Sequence, residues 1–260
     1  DNEETPRRML EVSTFELHLG KLAWKPETGE NYDYKIARQR FHHVNADIYE
    51  RAKQRQLEKI LYVVGNDFFN FDNIAPTTTA GTPQDSDLRW IKLFNVGTQM
   101  FIEAIDMYAT LAPVEVIVIP GNHDRMTDFY AQAQLMAWYR NTENVTVSDD
   151  YRTRKYIEYG KNLIGFTHGD KEGKRIYHLM PDEMPTAWGR TKHREFHVGH
   201  WHSEKTVEPN GVIVRTLASL TGTDAWHFEK GFVSATKKAQ SFLWDREDGL
   251  QEIWHTNLPQ

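Results

Sequence analysis

The segment Val114 to Arg125, Val-Glu-Val-Ile-Val-Ile-Pro-Gly-Asn-His-Asp-Arg, constrains this chain more than any other. All of its first six residues except Glu115 are apolar and β-branched, which is the pattern of a strand covered on both faces. Pro120 and Gly121 stop the strand abruptly. An amide, an imidazole and a carboxylate follow at once: Asn122, His123 and Asp124. Three such groups at the exit of a core strand are costly to place unless something binds them. In open α/β sheets, ligands bind at these carboxyl ends.

The rest of the chain repeats this grammar. Met9 to Phe15 reads as a first strand after a loose polar end, Asp1 to Arg8. Trp24 to Asp33 reads as a loop, and Ile36 to Lys59, without Pro or Gly, as a helix. Ile60 to Val64 is a short strand. Asn70 to Asp87 is a long polar loop, of a length that is often functional. Leu88 to Leu111 is a second helix, and Thr127 is expected to cap a third that runs to Asn141. Short strands are expected at Val145 to Val147, Lys155 to Tyr159, Leu163 to Thr167 and Glu195 to Val198. A partly helical stretch separates the last two. Pro209-Asn210-Gly211 and Glu247-Asp248-Gly249 mark two hairpins. The order predicts parallel βαβ units first and a more antiparallel sheet later. The expected fold is α/β: two packed mixed β-sheets flanked by helices, as one domain over 1–260.

Composition narrows the chemistry. With no cysteine and twelve histidines in 260 residues, any metal must be held by oxygen and imidazole nitrogen. A net charge of −6 argues against a generally basic surface for nucleic acid. No signal peptide or membrane-spanning run is read, so a cytoplasmic location and no membrane contact are expected.

Five strand exits carry ligand-type side chains. They are Glu16 with His18, Asp67 with Asn70, Asn122 with His123 and Asp124, His168 with Asp170, and His200 with His202. Residues two apart on extended backbone point the same way, so Glu16/His18 and His200/His202 can each present a pair. Any one of these is as compatible with a turn or a cap. His42, His43, His178, His193 and His197 are read as surface or satisfied core histidines. Five coincidences at five strand ends favour a site.

The series Glu16-Leu17-His18, Gly65-Asn66-Asp67, Gly121-Asn122-His123-Asp124, His168 and Gly199-His200-Trp201-His202 resembles the calcineurin-like metallophosphoesterases. That family reads Asp-x-His, Gly-Asp, Gly-Asn-His-Asp/Glu, His and Gly-His-x-His in this order. Two departures stand out: Glu16 replaces the usual Asp, and Asn66 is an extra residue. The resemblance implies a four-layer αββα sandwich and two divalent metal ions, with Mn²⁺ favoured and Fe, Zn²⁺ or Mg²⁺ as alternatives. It implies one ion on Glu16, His18, Asp67 and His202. The second would sit on Asp67, Asn122, His168 and His200, with Asp67 bridging. Metal-activated hydroxide would attack the phosphoester. His123 would be the general acid, with Asp124 orienting its ring. Asn70, Arg125 and Trp201 are candidate substrate contacts.

The resemblance extends to the repair-nuclease branch, the nuclease partner of an SbcC-type ATPase, through His18-Leu19-Gly20-Lys21. It implies a phosphodiesterase or nuclease on DNA or nucleotides, with a homodimer or an ATPase as a further partner. A DNA groove would draw on Arg152 to Lys155, Lys171 to Arg175 and Arg190 to Arg194, with Trp201 or Trp188 stacking on a base. The alternatives are a phosphomonoesterase and a non-catalytic, metal-stabilised binding scaffold.

Overall fold

The computed structural model describes residues 7–223, 225–229, 231 and 236–258. Most of the expected loose end, Asp1 to Pro6, lies outside them. In chain order the elements are β1 (Arg8–Ser13), α1 (Lys25–Thr28), α2 (Tyr34–Ala52), β2 (Lys59–Gly65), α3 (Trp90–Ala109), β3 (Val114–Ile119), α4 (Arg125–Tyr139) and β4 (Val145–Val147). There follow β5 (Lys155–Tyr159), β6 (Asn162–Thr167), α5 (Ile176–Glu183), α6 (Pro185–Arg190), β7 (His193–Val198), β8 (Lys205–Val207), β9 (Ile213–Thr216), α7 (Ala225–Glu229), β10 (Lys238–Asp245) and β11 (Gly249–Asn257).

The strands form two sheets, ordered β11-β10-β1-β2-β3-β4 and β5-β6-β7-β9-β8. Both are mixed. β1 to β4 run parallel, and the β10–β11 hairpin adds antiparallel to β1. The second sheet is less antiparallel than expected, because β6, β7 and β9 are parallel. A parallel pair needs a long crossover, and α5 with α6 supplies it between β6 and β7.

Three apolar layers hold the sheets and helices together. Leu10, Val12, Tyr62 and Val116 face the outer helices with Phe41, Phe101 and Leu135. Leu61, Val63, Ile117, Phe166, Phe242 and Trp244 fill the space between the sheets. Leu163, Phe196 and Val214 pack under Ile176, Met180 and Ala187. The result is an αββα sandwich. Among the described residues, no helix is long and apolar enough to cross a membrane.

Three local expectations are corrected. The stretch Trp24 to Asp33, read as a loop, holds the short helix α1. The helix expected over Ile36 to Lys59 ends at Ala52, since Lys59 pairs with Met9 in the sheet. Asp33 caps its start by accepting from the Lys35 and Ile36 amides. Thr127 does not cap the third helix. α4 begins at Arg125, and Asp72 Oδ1 accepts from the Met126 and Thr127 amides at 2.8 Å each. A side chain distant in sequence thus does the capping, which local patterns do not reveal.

Candidate metal centre

Parallel pairing brings the exits of β1, β2 and β3 to one edge of the first sheet, and those of β6 and β7 to one edge of the second. The loops are then stitched together by backbone bonds. Glu16 and His18 donate to Asn66 O and Asp67 O, Asn66 donates to Ile119 O, and Gly199 donates to His168 O. Seven described non-glycine residues have positive φ; six of them are Glu16, His18, Asn66, Asp67, His200 and His202. Each such conformation costs on the order of 1 kcal/mol and persists only where the surroundings enforce it. Six at one locus mark a site rather than six unrelated turns.

The side chains fall into two groups. Glu16 Oε2 lies 3.1 Å from His18 Nε2 and 3.0 Å from His202 Nε2, which are themselves 3.2 Å apart. In the second group, His168 Nε2 lies 3.2 Å from Asp67 Oδ2, 2.7 Å from Asn122 Oδ1 and 3.2 Å from His200 Nδ1. His200 Nδ1 is 3.1 Å from Asn122 Oδ1. Donors about 2.1 Å from a shared ion stand roughly 3 Å apart, so both triangles have the edge length of a coordination polyhedron. The Glu16/His18/His202 and Asp67/His168/His200 sets each meet the spacing a metal ion needs.

The donor chemistry agrees. His18 Nδ1 is 3.0 Å from Asn70 Oδ1 and His168 Nδ1 is 2.9 Å from Asn66 Oδ1. An amide oxygen only accepts, so each Nδ1 carries a proton. In His18, whose ring is neutral, the Nε2 lone pair then points at Glu16 Oε2. That is repulsive unless a cation lies between them, and it is the support that metal-bound imidazoles receive.

Charge is arranged in the same sense. Burial lowers the pKa of His18, helped by the Lys21 charge, to about 3, so the ring is neutral. Burial and the His168 charge also lower His200. Burial would raise Glu16, but the imidazoles around it, with the bond from His202 and the His168 charge among them, hold it well below the carboxylate range. Burial opposes Asp67 too, and the His168 and His123 charges still keep it ionised. His168 is the exception: burial disfavours its charge, yet Asp67 and Glu16 raise it to about 10. A proton there stands where metal charge would go.

Two glycines make the close approach possible. A Cβ on Gly121 would sit 1.9 Å from Asp67 Oδ1, and one on Gly199 would sit 2.3 Å from Glu16 Oε1.

All seven expected ligands, Glu16, His18, Asp67, Asn122, His168, His200 and His202, converge here. Asp67 stands with the second set, its Oδ1 accepting from the His123 amide at 2.8 Å. His123 is half-buried, and its ring meets His18 edge-on with centroids 4.7 Å apart. The role expected of Asp124 is corrected. Its oxygens accept from the Gly121 and Phe69 amides, both at 3.0 Å. What fixes the His123 ring is the Asn70 carbonyl, 2.8 Å from Nδ1. Burial and nearby Asp67 push the Asp124 pKa well up, and burial beside Asp124 does the same to Asp128. Asn70 is likewise no substrate contact, since its buried amide supports His18. Arg125 is half-buried at the start of α4, its amide 3.3 Å from Thr79 Oγ1. Trp201 is 63% exposed, edge-on to His200 at 5.2 Å. Asn66, a leftover in the sequence, turns out to support His168.

Several cations of the expected basic groove are paired or buried. Arg152 pairs with Asp150, Arg154 with Glu172 and Glu183, and Arg190 with Glu158. Lys155 is buried against Val118 O and Arg152 O. The Arg194 guanidinium lies over Trp188 at 3.8 Å, occupying the second stacking candidate.

No family model matches the chain, and no curated protein does. Solved structures similar to it include Vps29 complexed with Zn²⁺ from Entamoeba histolytica, at 14% identity and a TM-score of 0.38, covering 96% of this chain and 98% of that one. A novel archaeal phosphodiesterase is 12% identical with a TM-score of 0.41, covering 96% and 99%. A predicted phosphoesterase from Streptococcus pneumoniae TIGR4 is 12% identical with a TM-score of 0.35, covering 95% and 98%. Likeness at this level carries no argument about this chain, whose chemistry is read from its own side chains.

Proposed function

We propose that this chain is a two-metal phosphoesterase that cleaves phosphodiesters of nucleic acid or nucleotides. The observation that carries the reading is the pair of donor triangles with His123 beside them. Glu16, His18 and His202 would hold one ion; Asp67, Asn122, His168 and His200 would hold the other. When bound, such ions supply Lewis acidity toward phosphate oxygens and acidify a coordinated water. The chain's own residues do the rest. Asn70 and Asn66 fix the ligand tautomers. The Asn70 carbonyl accepts a hydrogen bond from His123 Nδ1–H, so the ring can act as the acid only as the imidazolium, giving its Nε2 proton to the departing oxygen and keeping the one on Nδ1. Exposed Trp201 gives a base or another flat group a surface at the rim.

The paired-off arginines favour a nucleotide or a flexible single strand over a long duplex. Chelated protein reloaded with Mn²⁺ should hydrolyse bis-p-nitrophenyl phosphate faster than p-nitrophenyl phosphate, and single-stranded DNA faster than double-stranded. Preference for the monoester would replace the reading with a phosphomonoesterase. No turnover on either ester with metal saturating would leave a metal-stabilised scaffold.

A further inference from the structure

β9 runs parallel to β7, so its exit reaches the same edge of the second sheet, where the Leu217 amide donates to Val198 O at 2.9 Å. The segment that follows, residues 217–223, carries no carboxylate and no imidazole. It turns instead to the first donor pair. The Glu16 carbonyl accepts from the Leu220 amide at 3.2 Å and from Ser219 Oγ at 3.3 Å. The next carbonyl, that of Leu17, accepts from the Tyr32 hydroxyl. Tyr32 and the segment form one unit. Tyr32 is fully buried, and a Cβ on Gly222 would sit 2.7 Å from its Cβ. The Arg40 guanidinium lies 5.0 Å from the Tyr32 ring centroid and donates to Leu220 O at 2.9 Å. Glu30 accepts from the Thr223 amide at 2.6 Å and pairs with Arg40 at 3.4 Å.

We propose that Tyr32 and Ser219 are positioning residues of the first donor set: their hydroxyls hold the 16–18 loop in the conformation from which Glu16 and His18 reach one ion. The inference rests on the metal-centre reading given above. Glu16 and His18 have φ of 55° and 50°, a region that residues with a side chain seldom occupy. Glu16 Oε1 is tied to the His200 amide, so Oε2 is the oxygen left to face His18 and His202. Where that oxygen and the His18 ring point depends on two peptide planes. Rotation of the Glu16–Leu17 peptide changes ψ of Glu16, and rotation of the Leu17–His18 peptide changes φ of His18. A buried carbonyl that loses its donor is costly and turns toward another partner. The Ser219 and Tyr32 hydroxyls satisfy these two carbonyls. Each hydroxyl has one proton to give, and both go to this loop rather than to the second donor set.

Tyr32→Phe and Ser219→Ala each remove one hydroxyl and add no volume. Chelated protein titrated calorimetrically with Mn²⁺ should bind two ions as wild type and one as Glu16→Gln. Tyr32→Phe should weaken one of the two ions roughly 10- to 100-fold, the usual cost of losing an outer support of a metal ligand. Ser219→Ala should weaken the same ion, and it alone decides if Tyr32→Phe does not fold. In the Glu16→Gln background, where the second set binds alone, neither change should alter the remaining affinity. Weakening in that background would mean that the hydroxyls support the fold at large, and it overturns the inference. So does wild-type affinity for both ions in both variants. A wild type that binds no metal overturns the reading of the centre itself, and the inference with it.

Discussion

Glu16 Oε2 and His202 Nε2 stand 3.0 Å apart although 186 residues separate them in the chain. Glu16 is also the only carboxylate in its donor set. Replacing it by Gln removes the negative charge on which that ion depends and leaves the second set intact. Glu16→Gln should therefore lose about one equivalent of metal per chain, measured by elemental analysis after dialysis. Asp67→Asn should empty the second set and lower the melting temperature of the metal-loaded protein. If Asp67 also bridges, its replacement should empty both sets, which separates the two arrangements.

His123 binds through its backbone amide to Asp67 and through Nδ1 to the Asn70 carbonyl, and it belongs to neither donor triangle. His123→Asn should keep the full metal content while turnover falls roughly 10²- to 10⁴-fold, the usual worth of a positioned acid. Loss of metal instead would make His123 a ligand.

Gly199 has no room for a side chain. A Cβ there would lie 2.3 Å from Glu16 Oε1 and 2.8 Å from Asn66 Oδ1, and these atoms belong to a donor and to the support of another. Gly199→Ala should weaken metal binding at least 10-fold in a calorimetric titration, with the secondary structure unchanged. Metal affinity equal to wild type would mean that the loop can yield.

The strand exits were legible because each is a local event: an apolar run, a stop, then ligand-type side chains. The order of those exits suffices to expect all seven candidate ligand side chains at one place, and the fold brings them together there. What was illegible depends on partners far away in sequence. Asp124 reads as the partner of its neighbour His123, but one oxygen turns back to the Gly121 amide three residues away and the other serves the Phe69 amide, 55 residues away. Asn66 acquires its role only through His168, 102 residues later. The arginine-rich tracts read as a groove in part because Arg154 and Arg190 find their acidic partners Glu183 and Glu158 on other segments. Helix ends slipped for the same reason, with Asp72 capping α4 from the long loop.

Of the two settings the sequence allows His197, surface or satisfied core, the fold gives it the latter, in an ionic chain between the sheets. Its Nδ1 is 2.6 Å from Glu11 Oε1 and its Nε2 is 3.0 Å from Glu195 Oε2; Arg215 Nε in turn lies 3.2 Å from Glu195 Oε2. Burial disfavours the imidazolium, but Glu11 and Glu195 outweigh it and raise the pKa to about 9 from 6.5. The folded state therefore holds this proton more tightly than the unfolded chain does. The contribution is complete below pH 6.5, is lost as the pH climbs toward 9, and amounts to on the order of 3 kcal/mol. Urea midpoints of the wild type should fall between pH 6.5 and pH 9. His197→Gln should be less stable at pH 6.5, because it leaves Glu11 and Glu195 buried without their cation, and its midpoint should change less over the same interval. Parallel pH profiles for the two proteins would show that His197 does not carry the proton.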